Sequence, residues 1–230
     1  MGFEMLRPEW AAGRTIRGVL FDMDGLVVDT EKLYTRFWME AAHCLGYEMT
    51  REQSLGMRGL GGQAGENMLR RYFGPAVNYL QMRNKRIELM DAFVAEHGVD
   101  LKPGIRELLD ELDARGIRTA ITSSSPVERI RRYLGQHGLD GRFEQLCSGR
   151  DVPVGKPAPD IYLRGAASLG LDPAECLALE DAPAGIESAF RAGCLTVMIP
   201  DQEQPDDATL QRLYARADSL SDVMDILKTF

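Results

Sequence analysis

The stretch Val19-Leu20-Phe21-Asp22-Met23-Asp24-Gly25 joins a short apolar run to two carboxylates and a glycine. Consecutive apolar residues without helical spacing read as a strand buried on both faces, and the glycine lets the backbone turn away. In an open α/β sheet, ligands bind in the crevice beyond the carboxyl ends of the strands. Asp22 and Asp24 therefore stand at a functional location. Two carboxylates this close repel each other and any phosphate, an arrangement that a hard cation such as Mg²⁺ neutralises. An Asp-x-Asp-Gly segment can equally be a solvated turn, so further residues have to decide between the two.

Working outward, other apolar runs end at polar or glycine-containing turns: Ile117–Thr122, Phe143–Cys147, Leu177–Leu179 and Leu195–Ile199. Helical patterns lie between them at Ile105–Arg115, Val127–His137, Ile161–Leu169 and Gly185–Ala192. This alternation predicts an α/β fold, a Rossmann-like doubly wound and mostly parallel sheet with helices on both faces. From Glu31 to His97 the rhythm breaks. Helix-forming stretches at Lys32–Leu45, Ala64–Tyr72 and Ala76–Glu96 follow one another without a convincing strand. The expected organisation is a core domain made of residues 1–30 and 100–230, with residues 31–99 inserted as a small all-helical cap domain. Asp29–Glu31 and Val99–Gly104 are the expected hinges.

Three further segments carry chemistry. Ile121-Thr122-Ser123-Ser124-Ser125-Pro126 ends a strand in hydroxyls; Ser125 before Pro126 suits an N-cap, and the free N–H groups of a helix start attract phosphate. Capping alone would explain Ser125, and less readily Ser123. In Gly155-Lys156-Pro157-Ala158-Pro159-Asp160 two prolines hold Lys156 on a rigid loop, although most lysines are simply solvated. Leu177-Ala178-Leu179-Glu180-Asp181 is a second apolar run ending in paired carboxylates. Acidic residues there commonly serve the next helix's dipole, yet two such pairs could share one cation.

Composition narrows the classes. The 230 residues are 44% hydrophobic and 27% charged, ordinary for a globular chain. A net charge of −8 without a long basic run argues against a nucleic acid polymer or an anionic membrane as partner. Cys44, Cys147, Cys176 and Cys194 form no CxxC pair, so reduced, buried thiols are expected rather than a zinc site. No apolar stretch approaches the ~20 residues of a membrane span or makes a signal peptide. A cytoplasmic protein, monomeric by default, is expected.

The four segments together, FDMDGLVVDTE, TSSSP, GKPAPDIY and LEDAPAGIESA, resemble in order and composition the motifs of the haloacid dehalogenase-like hydrolase superfamily. They look most like its subgroup of β-phosphoglucomutases and sugar-phosphate or nucleotide-type phosphatases, whose helical cap follows the first motif. The resemblance implies a magnesium-dependent enzyme that attacks a small phosphate monoester with Asp22 and hydrolyses the aspartyl-phosphate. It implies Asp24 as general acid and base, and Ser123 and Lys156 as holders of the phosphoryl oxygens. Mg²⁺ would be bound by Asp22, the main-chain carbonyl of Asp24, Glu180 and Asp181, with Ser124 and Ser125 near the substrate. Mutases of the family carry a histidine where this chain has Tyr34, and an arginine in the cap turn Met57-Arg58-Gly59-Leu60-Gly61-Gly62 where a glycine stands here. Net hydrolysis is therefore expected, with a hexose-phosphate mutase or a non-catalytic binding module as the alternatives. Arg58 is a candidate substrate contact or an exposed loop residue; Tyr34 and Trp38, four apart, either line a cleft or pack in the cap's core.

Overall fold

A computed structural model of the chain describes residues 2–57, 60 and 62–230. Along the chain run strand β1 (Phe3–Met5), strand β2 (Gly18–Phe21), helices α1 (Glu31–Cys44), α2 (Arg51–Leu55), α3 (Gly62–Phe73), α4 (Tyr79–His97) and α5 (Ile105–Ala114), then β3 (Arg118–Ser123), α6 (Val127–Gly135), β4 (Gln145–Ser148), α7 (Asp160–Ser168), β5 (Cys176–Glu180), α8 (Pro183–Ala192), β6 (Leu195–Met198), α9 (Asp207–Leu210), β7 (Ala215–Ala217) and α10 (Leu220–Ile226). The chain divides into two compact units, Met1–Asp29 with Asp100–Phe230, and Thr30–Val99.

In the first unit the described strands form one sheet in the order β1-β7-β6-β5-β2-β3-β4. All neighbours pair in parallel except the edge strand β1, which runs antiparallel to β7. Every residue of β2, β5 and β6 is buried, which is why these strands read as continuous apolar runs rather than alternating ones. From β2 the chain winds outward through β3 and β4, then returns to β5 on the other side of β2 and winds outward again. The strand order thus reverses at β2, and the crevice at such a reversal is the ligand position of the fold. Helix α5 packs with α10 and α7 with α8, the two helical layers of the sheet. In α5 the buried residues Ile105, Leu108, Leu109 and Leu112 follow the helical period.

Immediately after β2 the chain folds back tightly. Gly25, at φ +89°, donates its N–H to the carbonyl of Val28, and Val27 and Val28 donate to that of Met23. Val28 then pairs with Leu101. This loop holds Met23, Leu26, Val27 and Val28 completely buried, so Asp22 and Asp24 sit on a rigid support.

The second unit is wholly helical among its described residues. Helices α1 and α4 pack along each other, burying Trp38, Ala41, Ala42, Leu69, Tyr79 and Met82 in one cluster. Trp38 is therefore core to this unit, whereas Tyr34 is half-buried. Asn78 sets the start of α4 at Tyr79, three residues later than its apolar pattern suggests, because its side chain accepts a hydrogen bond from the N–H of Gln81. Helix α2 was not expected; its five residues are too few to show a period, although Thr50 and Gln53 form a full capping box. One cysteine departs from expectation. Cys147, Cys176 and Cys194 are buried, but Cys44 is exposed because it falls off the α1 stripe of Phe37, Trp38, Ala41 and Ala42.

Candidate active site

The carboxyl ends of β2, β3 and β5 bring the motif residues of the first unit together. Phe21 pairs in register with Ile121 on β3 and Leu179 on β5. Asp22, one residue on, donates its backbone N–H to the Leu179 carbonyl at 3.0 Å. Asp22, Glu180 and Asp181 are all buried, and each offers an oxygen within 4.8 Å of the others. Lys156 closes the group. Its ammonium donates to Asp22 Oδ1 and to Glu180 Oε1, both at 2.5 Å, with only 10% of its side chain exposed.

Three buried carboxylates against one ammonium leave the cluster negative. Burial pushes the Asp22 carboxyl up to about 8, against the lowering pull of Lys156 and with smaller raising effects from Glu180 and Asp24. Burial also works against the charge on Lys156, but Asp22 and Glu180 outweigh it and hold the ammonium above its ordinary value. A buried site of oxygen donors with excess negative charge fits a hard divalent cation, and magnesium takes such ligands. Glu180 is further fixed by Tyr162, whose hydroxyl donates to Oε1 at 2.5 Å. Burial, followed by the Glu180 charge, raises the Tyr162 phenol well above its usual value, so it stays a donor.

The serine loop is arranged differently from its sequence reading. Helix α6 begins at Val127 with Pro126 in the N-cap position and no side-chain cap. Ser125 is thus not the cap. Its hydroxyl instead donates to Asp24 Oδ2 at 2.8 Å. Ser123, fully buried, takes the local role: its hydroxyl accepts the N–H of Ser125 at 3.0 Å and stands 3.5 Å from the same Asp24 oxygen. A proline next to a serine pointed to a helix start, and α6 does start there, but Pro126 takes the cap position. The Ser125 hydroxyl is turned to the Asp24 carboxylate, a strong charged acceptor. Ser124 is exposed. The loop is braced by Ser148, at the end of β4, which donates to the Ser125 carbonyl at 2.9 Å; no sequence motif signalled it. The Asp24 carboxylate turns to these serines rather than into the Asp22, Glu180 and Asp181 group. Arg58 lies outside the described residues.

A strand-order reversal carrying these residues is the ligand position of an α/β core, and comparison with known proteins gives the family. Residues 16–193 match the haloacid dehalogenase-like hydrolase family. The chain belongs to that family and is an enzyme. It is 36% identical to hexitol phosphatase A of Escherichia coli strain K12 over 186 residues, covering 80% of this chain and 82% of that protein. Hexitol phosphatase B of the same strain is 28% identical over 221 residues, covering 91% and 95%. The crystal structure of CbbY from Rhodobacter sphaeroides in complex with phosphate superimposes with a TM-score of 0.73 at 25% identity, covering 91% of this chain and 96% of that one. Among the described residues no helix is long and apolar enough to cross a membrane.

Proposed function

We propose that this chain is a Mg²⁺-dependent phosphatase that hydrolyses a small phosphate monoester, a sugar or polyol phosphate ahead of a nucleotide-type one, through an aspartyl-phosphate on Asp22. The observation that carries the reading is the buried convergence of Asp22, Lys156, Glu180 and Asp181 at the reversal of the strand order. The hexitol phosphatase names of two relatives support the polyol class. The cap and core assignment of residues 31–99 against 1–30 and 100–230 belongs to this reading, as does a monomeric cytoplasmic enzyme with reduced thiols.

Asp22 Oδ attacks phosphorus as the bond to the leaving alcohol oxygen breaks, and Asp24 gives that oxygen its proton. Asp24 then takes a proton from water, whose oxygen attacks the phosphorus and releases the Asp22 carboxylate with inorganic phosphate. Proton transfer of this kind contributes about 10²–10⁴-fold. Ser125 holds the Asp24 carboxyl in one orientation while it changes protonation state, a role distinct from the substrate contact read for it from sequence. Ser123 and Lys156 hold the phosphoryl oxygens, in a reaction governed by positioning and charge stabilisation, with the exposed Ser124 as a further substrate contact. Asp22, Glu180, Asp181 and the Asp24 carbonyl would bind Mg²⁺, which supplies the positive charge that keeps Asp22 ionised at neutral pH and offsets the phosphate charge.

A phosphate-release panel across sugar, polyol and nucleoside monophosphates, with Mg²⁺ and with EDTA, tests the reading. Asp22→Asn should lower the rate by about 10³-fold or more without lowering the melting temperature, since it removes a carboxyl that burial disfavours when ionised. Full activity in that variant would remove the nucleophile. Isomerisation of β-glucose 1-phosphate in place of phosphate release would turn the assignment to a mutase.

A further inference from the structure

We infer that Tyr162 is a positioning residue, holding the Glu180 carboxylate in the orientation that serves both the cation and Lys156. The inference rests on the functional reading above in taking Mg²⁺ as the cation. Tyr162 is fully buried in the first turn of α7. A buried tyrosine at a helical core position would ordinarily be explained by its ring alone, and phenylalanine would fill that space as well. Here the hydroxyl has a particular partner. It donates to Glu180 Oε1 at 2.5 Å, the same oxygen that Lys156 reaches at 2.5 Å. The Lys156 ammonium also lies 5.2 Å from the centroid of the Tyr162 ring, so one side chain contacts both partners of the pair.

The Glu180 carboxyl group is also packed closely against α8. Gly185 sits in the first turn of α8, where an added Cβ would overlap the Glu180 carboxyl group. The carboxylate is therefore held between a phenol, an ammonium and the backbone of a helix. Two donors on Oε1 leave the remaining acceptor capacity of the group on Oε2, and the close approach of the Gly185 backbone restricts rotation about the last side-chain bond. Side chains that fix a metal-binding carboxylate in this way commonly matter 10–100-fold for metal affinity. The GKPAPDIY motif thus supplies Lys156 and, six residues later, the group that aims its second partner.

The test is Mg²⁺ binding by calorimetry to the full substrate-free chain, with Tyr162→Phe, Gly185→Ala and Tyr214→Phe compared with the unaltered protein. Tyr214 is the control, because it precedes β7 at the amino end of that strand, away from the carboxyl ends that carry the site, and its hydroxyl pairs with Thr229 at 2.9 Å. Tyr162→Phe should weaken Mg²⁺ binding about 10–100-fold and raise the Mg²⁺ concentration for half-maximal activity by the same factor. The substrate KM at saturating Mg²⁺ should stay put, and Tyr214→Phe should bind Mg²⁺ normally. Gly185→Ala pushes the same carboxylate from the other side and should also weaken binding, which keeps the question open to measurement if the phenylalanine variant folds poorly. Mg²⁺ affinity within twofold of the unaltered protein in a folded Tyr162→Phe variant overturns the proposal, whatever Gly185→Ala does, while leaving the phosphatase reading intact. An unaltered protein that binds no Mg²⁺ overturns the cation reading and this proposal together.

Discussion

Each unit of the molecule buries a cation, and the two are accommodated by different means. In the α/β unit Lys156 is inserted between the carboxylates of Asp22 and Glu180. In the helical unit Arg86, 7% exposed on α4, lies with its guanidinium carbon 4.7 Å from the centroid of Tyr34 and 5.2 Å from that of Trp38. A guanidinium is weakly hydrated and stacks on aromatic faces, so rings on α1 can help bury it. An ammonium is a compact, strongly hydrated charge and needs oxygen acceptors when it leaves water. The first environment stores excess negative charge at a place open to chemistry, and the second joins two helices. A buried charge marks a candidate reactive site where several carboxylates gather with it at strand ends, as around Lys156.

Replacement of the two cations separates these roles most clearly. Lys156→Met should lower phosphate release about 10²–10³-fold, the usual cost of one lost charge-stabilising donor. It also removes the cation between two buried carboxylates, a loss of about 3–5 kcal/mol, so the metal-free melting temperature should fall by about 6–20 °C and recover in part with Mg²⁺. An unchanged metal-free melting temperature would dissolve the contrast. Proton competition sharpens it next. With the Asp22 carboxyl pushed up to about 8, a cation binding at pH 6 must displace a proton that is already gone at pH 9. Calorimetric Mg²⁺ affinity should rise with pH, by at most about tenfold per unit, and level off above about 8; affinity that falls with pH would contradict this. Arg86→Met should have the smallest effect. Loss of the ring stacking alone costs about 1–2 kcal/mol, a drop of about 2–8 °C in melting temperature, and Mg²⁺ affinity should stay unchanged.

Much of this arrangement was legible in the chain. The long elements announced themselves: β2, β5 and β6 as unbroken apolar runs, and α1, α3 and α4 as successive helices without strands between them. The short ones did not. The edge pair β1 and β7 has three residues in each strand, too few for any period, and forms only because distant segments meet. The four motifs pointed to Asp22, Asp24, Lys156, Glu180 and Asp181, yet the capping role read for Ser125 did not hold. Ser125 resembles a helix cap in one dimension, but it bonds to Asp24, 101 residues away. Tyr162 closes the GKPAPDIY segment with nothing local to mark its hydroxyl, since its partner Glu180 is 18 residues on.

The sequence by itself determined which residue types stand at which strand ends, because hydrophobic runs, turn residues and motif spacing are local properties of the chain. Only the tertiary structure decided which of those groups share a hydrogen bond, which serine faces Asp24, and that Lys156 and Tyr162 meet on one oxygen of Glu180. Those pairings depend on the register of parallel strands and on close helix packing at Gly185, where a difference of one methyl group decides whether a carboxylate fits.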